Sequence, residues 1–446
     1  MVFYKGSMEE NSENRLRLGR IVFGLLFFFT FVYPFLLENI RMFENVASYN
    51  VVRVIPLPKA VRYGEIIFFI SLSLFVYFRR KRASAGFVTW KEITPLFASM
   101  VVGLFVALVA PGFDKTDFAL RLQVLWLLLS GYVIFYIFYH VRIDSWVITW
   151  ALRTLFAFGF VNALVGIVQM YAWGFLGDDV NGAMQDAHTF ANVMLMIMVL
   201  LMVIKEARTY TPVMILPFIA FVGASSQKSY VVLIGIALMY FIFFTDWKTR
   251  MIVGISAIAF GSTIFAFVIN EDPEILDRYS YFFELGVKNT GIARSYTDIV
   301  DIHNQYIFSY PFGIGDGNYA NPVNYPSLLG EISVPVSQLF NEKISSDGKL
   351  FGAFDMQVTF FSFVFVEFGL VGGFLLYRFY GRVLKKLFEL HGTTRDSLSL
   401  AVGLGLMIPL IASFFTLLYS MEQITIMYPL LALAGILCQR NSGRKV

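Results

Sequence analysis

Three stretches of this sequence mix titratable, cationic and glycine residues closely enough to support chemistry. The longest lies between Asn270 and Gln357. It holds Arg278, then Gly291-Ile-Ala-Arg294-Ser-Tyr296-Thr-Asp298-Ile-Val-Asp301-Ile-His303-Asn304, then Pro311-Phe-Gly313-Ile-Gly315-Asp316-Gly317-Asn318-Tyr319, and finally Asp355. Before it in the chain come a first patch, Gly182-Ala-Met-Gln-Asp186-Ala-His188-Thr-Phe-Ala-Asn192, and a second, Ser225-Ser226-Gln227-Lys228-Ser229, so the long stretch is the third. Imidazoles and carboxylates accept and return protons. Lysine and arginine are fixed positive charges that neutralise anionic oxygens. The sequence has no phosphate-cradling GxxxxGK[ST], no HExxH and no GxSxG. The cluster Gly313-Ile-Gly315-Asp316-Gly317 has no helix after it to aim amides at an anion, so it is read as a turn.

The frame that must position these residues is apolar. Hydrophobic residues make up 57% of the 446, aromatics 17% and charged residues only 15%, against about 25% charged in a usual soluble chain. That balance predicts a membrane protein. A formal charge of +4 is too small to suggest a nucleic-acid partner, and a single cysteine, Cys438, excludes a disulfide framework or a multi-cysteine metal site.

Apolar runs fall near 20–38, 63–79, 93–110, 119–140, 146–172, 188–204, 210–226, 229–245, 250–269, 357–377, 397–419 and 422–438. Each approaches the ~20 helical residues that cross a hydrocarbon core, which predicts about twelve spans in an all-α chain. The first run, preceded by charge and followed by Glu38-Asn39-Ile40-Arg41, lacks a cleavage pattern. Basic residues cluster at alternate connections: Arg15, Arg17 and Arg20; Arg79 to Arg82; Arg142; Lys205 and Arg208; Lys248 and Arg250; Arg378, Arg382, Lys385 and Lys386; Arg440, Arg444 and Lys445. The positive-inside rule then puts both termini in the cytoplasm and the segment 270–356 outside. A site outside the cell has no nucleotide donor and must use a substrate already activated and delivered; lipid-linked diphosphate sugars fit.

The three patches, with Glu367-Phe-Gly369-Leu-Val-Gly372 after them, resemble the bacterial O-antigen polymerase and O-antigen ligase superfamily. The first patch is similar to that family's glycine, polar stretch and asparagine before a helix. The second is similar to its Ser-Arg pair, and the third to its Arg followed by Pro-Leu-Phe-Gly-x-Gly-x-Gly-x-Tyr. The resemblance covers roughly the second half of the chain. It implies a GT-C-like fold forming one polytopic membrane domain over 1–446, with 270–356 an extracytoplasmic lid over the site.

It also implies a polymerase in the bacterial inner membrane that builds O-antigen or exopolysaccharide from a polyprenyl diphosphate carrier such as undecaprenyl diphosphate. Lys228 and Arg294, with Arg278 in reserve, would hold the diphosphate. Asp355, His303 and His188 would be the groups that could deprotonate the acceptor hydroxyl, and Glu367 would shape the cavity. A chain-length regulator protein is a further partner, and no cofactor is implied.

Two departures bear on that assignment. Lys228 stands where the family usually has Arg, keeping charge but losing the bidentate fork. Where a ligase would carry a His-Asn pair, this chain reads Gly352-Ala-Phe-Asp355-Met-Gln357, which favours polymerase over a ligase acting on lipid A core.

Each assignment has a plainer competitor. Lys228 could snorkel to the interface, Asp355 could cap the tenth span, and His303 and His188 could sit on exposed faces. Arg121, near the outer start of the fourth span, and Arg153, about two turns into the fifth, are explained by snorkelling, whereas Glu367, about three turns into the tenth span, is expected to face a polar cavity or another helix. Tyr279, Tyr281, Tyr296, Tyr306, Tyr310 and Tyr319 suit either an interfacial belt or sugar stacking. Asp298 and Asp301 have no third carboxylate beside them, so a metal-independent reaction is expected. A secondary transporter is the alternative from another class, although its long central connection is missing here: residues 205–210 form a short link.

Overall fold

The computed structural model describes residues 118–140, 145–173, 180, 182, 187–224, 227–244, 360–414 and 421–442, with short helical fragments between 20 and 25, 68 and 73, and 95 and 105. Every regular element among these is helical. In chain order they are α1 Phe118–His140, α2 Ser145–Trp173, α3 Ala187–Val203, a 3-10 helix Lys205–Met214, α4 Ile215–Gly223, α5 Gln227–Phe244, α6 Phe360–Thr394, α7 Ser397–Ala412 and α8 Met421–Ser442. Their starts lie within a few residues of the expected apolar runs. The run expected over 210–226 is the exception, because its first half is the 3-10 helix containing Pro212 and only nine residues are α-helical. Trp146–Tyr171 is the described helix long and apolar enough to cross a membrane; Ala187–Val203, Ser229–Phe244 and Ser397–Ala412 are apolar but shorter.

α3 and α7 form the centre. α3 carries Phe190-Ala-Asn-Val-Met-Leu-Met-Ile-Met-Val-Leu-Leu201 without a polar face, and a helix apolar all round must be surrounded. Every residue from Thr189 to Leu201 is buried. It packs against α2, α4, α5, α7 and α8, while α7 packs against α3, α5, α6 and α8. Asp396 starts α7, accepting from the amides of Leu398 and Ser399 and from the Ser399 hydroxyl at 2.6 Å, as an N-cap does. Arg395 before it has φ 53° and donates its amide to the His391 carbonyl at 2.8 Å, closing α6 in a left-handed turn.

α1 and α8 lie side by side and point the same way. Gly131 is next to Leu431, and a methyl group on Gly435 would stand 2.8 Å from the Phe135 carbonyl oxygen and 3.0 Å from the Tyr139 amide nitrogen. Only glycine permits that backbone approach.

α6 is not one straight helix. At Gly369 the backbone takes φ 66°, ψ −175°, a region essentially reserved for glycine, and the chain folds back on itself. The Phe365 ring stacks on Tyr377 at 6.1 Å, and a methyl group on Gly373 would collide with Phe365 at 2.7 Å. Phe360 to Phe368 thus forms a short arm laid against the long arm from Leu370 to Thr394.

This corrects two sequence expectations. Glu367 lies two residues before a turn, not three turns inside a continuous span. Arg378 and Arg382, expected just past a span's end, flank Phe379, whose ring stacks on Tyr132 at 3.6 Å, and Tyr380, whose hydroxyl abuts Gly131. They are therefore level with the middle of the 23-residue α1.

Candidate functional site

The first two patches meet where α3 and α5 begin. The Ser229 hydroxyl, in the first turn of α5, donates to the carbonyl of His188, in the first turn of α3, at 3.4 Å. Lys228, the preceding residue, therefore has its backbone beside the start of α3. His188 is half-buried and Ser229 is buried. Both helices present first-turn amides here, and each macrodipole places partial positive charge at this end. Two adjacent helix starts with a lysine in one of them make a place suited to an anion.

What holds α3 in register is a residue to which the sequence reading gave no role. Gln169, buried near the end of α2, donates through Nε2 to the Gly182 carbonyl at 2.9 Å and accepts the Gly182 amide through Oε1 at 2.7 Å. Gly182 has φ 60°, a left-handed conformation in which glycine is unstrained. The fully buried ring of Phe190 fills the slot between Gly182 and Gly166 of α2. The glycine that opens the first patch is thus an anchor: it lets the chain turn, clamp onto α2, and deliver His188 to Ser229. The signal for Gln169 in the sequence was a lone amide near the end of an otherwise apolar run.

Asn192 lies one helical turn beyond His188 on the same face. It is 8% exposed, and among the described residues its Oδ1 has no hydrogen-bond partner.

At the same end of the bundle the short arm of α6 begins. Its Phe361 amide donates to the Ser413 carbonyl at 3.0 Å, and the Tyr377 and Ser413 hydroxyls are 3.1 Å apart. The start of α6 is therefore satisfied by the end of α7. Glu367 belongs to this arm by backbone position. Arg278, Arg294, His303 and Asp355, with the whole 270–356 segment, lie outside the described residues; of the expected set, His188 is described in full and Lys228 and Glu367 by backbone position. No group of three or more His, Cys, Asp or Glu side chains with metal-binding geometry occurs among the described residues.

Comparison with protein-family models found no match, and comparison with curated proteins found none either.

Proposed function

We propose that this chain is a membrane-embedded glycosyltransferase that polymerises lipid-linked glycan units outside the inner membrane, within a GT-C-like bundle of about twelve spans. The observation that carries the reading is the contact between Ser229 and His188. Two patches forty residues apart, both named by the resemblance to O-antigen polymerases, converge on one pair of helix starts. The membrane setting is supported by α2. Trp146, Trp150, Val161, Leu164, Val168 and Tyr171 form one exposed, mostly apolar stripe along the helix, with aromatics at both ends and Arg153 the one cation on that face. Such a stripe is unfavourable in water and natural in lipid.

In this reading Lys228 and the amides starting α3 and α5 neutralise one face of the donor diphosphate, and Arg294, with Arg278, closes the other. Holding the diphosphate's growing charge weakens the bond from its oxygen to the anomeric carbon, and fixing the acceptor hydroxyl nearby supplies the rest of the rate. The hydroxyl's proton passes to Asp355, or to His303 or His188, as the new glycosidic bond forms. No metal or cofactor takes part. The termini are cytoplasmic, and a chain-length regulator is a natural partner.

The test is turnover of a defined undecaprenyl diphosphate oligosaccharide by the purified chain in nanodiscs. Polymer should form with the natural chain and fall at least tenfold with Lys228→Ala, Arg294→Ala and Asp355→Asn; unchanged rates for all three would remove the site. The break at Gly369 is also a feature of transporters, whose helices are often discontinuous. Solute flux into vesicles without polymer formation would favour that class, and glycan appearing on lipid A core would favour a ligase.

A further inference from the structure

The proposed site has cations for a diphosphate but, so far, nothing that reads the sugar attached to it. Asn192 is placed to do this. On an α-helix, residues four apart share a face, and side chains lean toward the N-terminal end. Asn192 therefore leans back toward the turn of His188, whose carbonyl receives the Ser229 hydroxyl at 3.4 Å. The amide thus lies one turn inside the end of α3 that meets α5.

Its neighbours on α3, Ala191, Val193, Leu195 and Met196, are buried and apolar. A buried amide oxygen with no partner is normally selected against, because it has given up its water for nothing in return. Three other buried polar side chains of the same bundle, Gln169, Asn162 and Ser229, are partnered. Gln169 clamps Gly182, Asn162 donates to the Phe158 carbonyl at 3.0 Å, and Ser229 donates to His188. Asn192 is 8% exposed and, among the described residues, its Oδ1 is left over.

We propose that Asn192 is a specificity residue, whose side-chain oxygen accepts a hydrogen bond from a hydroxyl of the sugar joined directly to the carrier diphosphate. The inference rests on the reading of this end of α3 and α5 as a diphosphate site and adds the sugar to it. Apolar pockets discriminate weakly between sugars that differ in one hydroxyl, whereas a buried acceptor that needs that hydroxyl discriminates strongly.

The experiment compares binding of bare undecaprenyl diphosphate with binding of the same carrier bearing its glycan. The chain is held in nanodiscs as wild type, Asn192→Leu, Asn192→Asp and Lys228→Ala, and thermal unfolding is recorded for each. The wild type should prefer the glycan-bearing carrier at least fivefold. Asn192→Leu should bind the bare carrier as the wild type does, lose the preference, and unfold at the same or a higher temperature, since it removes an unpaired polar group. Asn192→Asp, which keeps an acceptor oxygen, should retain part of the preference.

A wild type that binds the bare carrier through Lys228 but shows no preference for the glycan overturns the sugar contact and leaves the diphosphate site standing. An Asn192→Leu chain that keeps the preference, or that loses bare-carrier binding and stability together, also overturns it. A wild type that binds neither carrier overturns both.

Discussion

The ring of Phe361 lies 5.4 Å from the ring of Tyr377, although in a continuous α-helix residues sixteen apart would be separated by about 24 Å. Cysteines introduced at these two positions, with Cys438 replaced by Ala, should therefore cross-link rapidly with a short bifunctional reagent, read as a mobility shift after proteolysis between them. A chain that resists the reagent under conditions where both thiols are labelled singly has a straight α6. Gly369→Ala should destabilise the hairpin by about 1–3 kcal/mol, because φ 66° with ψ −175° is closed to side-chain-bearing residues.

Two glycine-to-alanine changes should behave in opposite ways. At Gly435 the new methyl group meets the backbone of α1, which cannot swing aside as a side chain can, so α1 and α8 must separate at a cost of about 1–3 kcal/mol. At Gly381 nothing lies within 4 Å of the new atom, and removing glycine from a helix interior should stabilise by about 0.5–1 kcal/mol. Unfolding temperatures in detergent measure both; equal shifts for the pair would contradict the packing of α1 on α8.

Gln169→Leu leaves the Gly182 amide and carbonyl without their partners. A loss of about 1–3 kcal/mol follows from stranding them, and turnover in the proposed polymerisation should fall further than stability alone explains, because His188 is no longer held beside Ser229. Gln169→Glu, which keeps the acceptor but not the donor, should lie between. Stability measured beside turnover separates the effects, and full activity in the leucine variant would show that Gly182 does not position the site.

Treatment with EDTA should leave glycan transfer unchanged. The proposed reaction relies on Lys228, Arg294 and helix-start amides for charge neutralisation, and Asp298 with Asp301 offers at most two carboxylates to a magnesium ion. Activity lost with chelation and restored by Mg²⁺ would overturn that account.

The helices were legible in the sequence wherever length and hydropathy were the deciding quantities: α1, α2, α3, α5 and α7 begin within two residues of the expected runs. Hydropathy cannot distinguish a straight helix from one that doubles back, since the residues around Gly369 are apolar in either case; only Gly369, Gly372 and Gly373 hinted at close approach. That is why Glu367 and Arg378 were placed along one unbroken helix. Within the site, the patches containing His188 and Lys228 could be named from residue types, but their meeting could not, because it depends on Gln169 gripping Gly182 from a different helix. Pro212 and the polar residues before it shortened the helix expected over 210–226, a local signal outweighed by the apolar run that follows.

The pairing of α1 with α8 also sets an order of events during synthesis. When α1 leaves the ribosome, the surface around Gly131 and Phe135 lacks its permanent neighbours until Phe379 and Tyr380 of α6 emerge about 250 residues later, and Gly435 of α8 about 300 residues later. Over that interval the nascent chain must shelter the seam by other means, through lipid, an insertase or a temporary neighbour. Chains terminated before residue 421 should be short-lived in the cell even though most of their helices are complete.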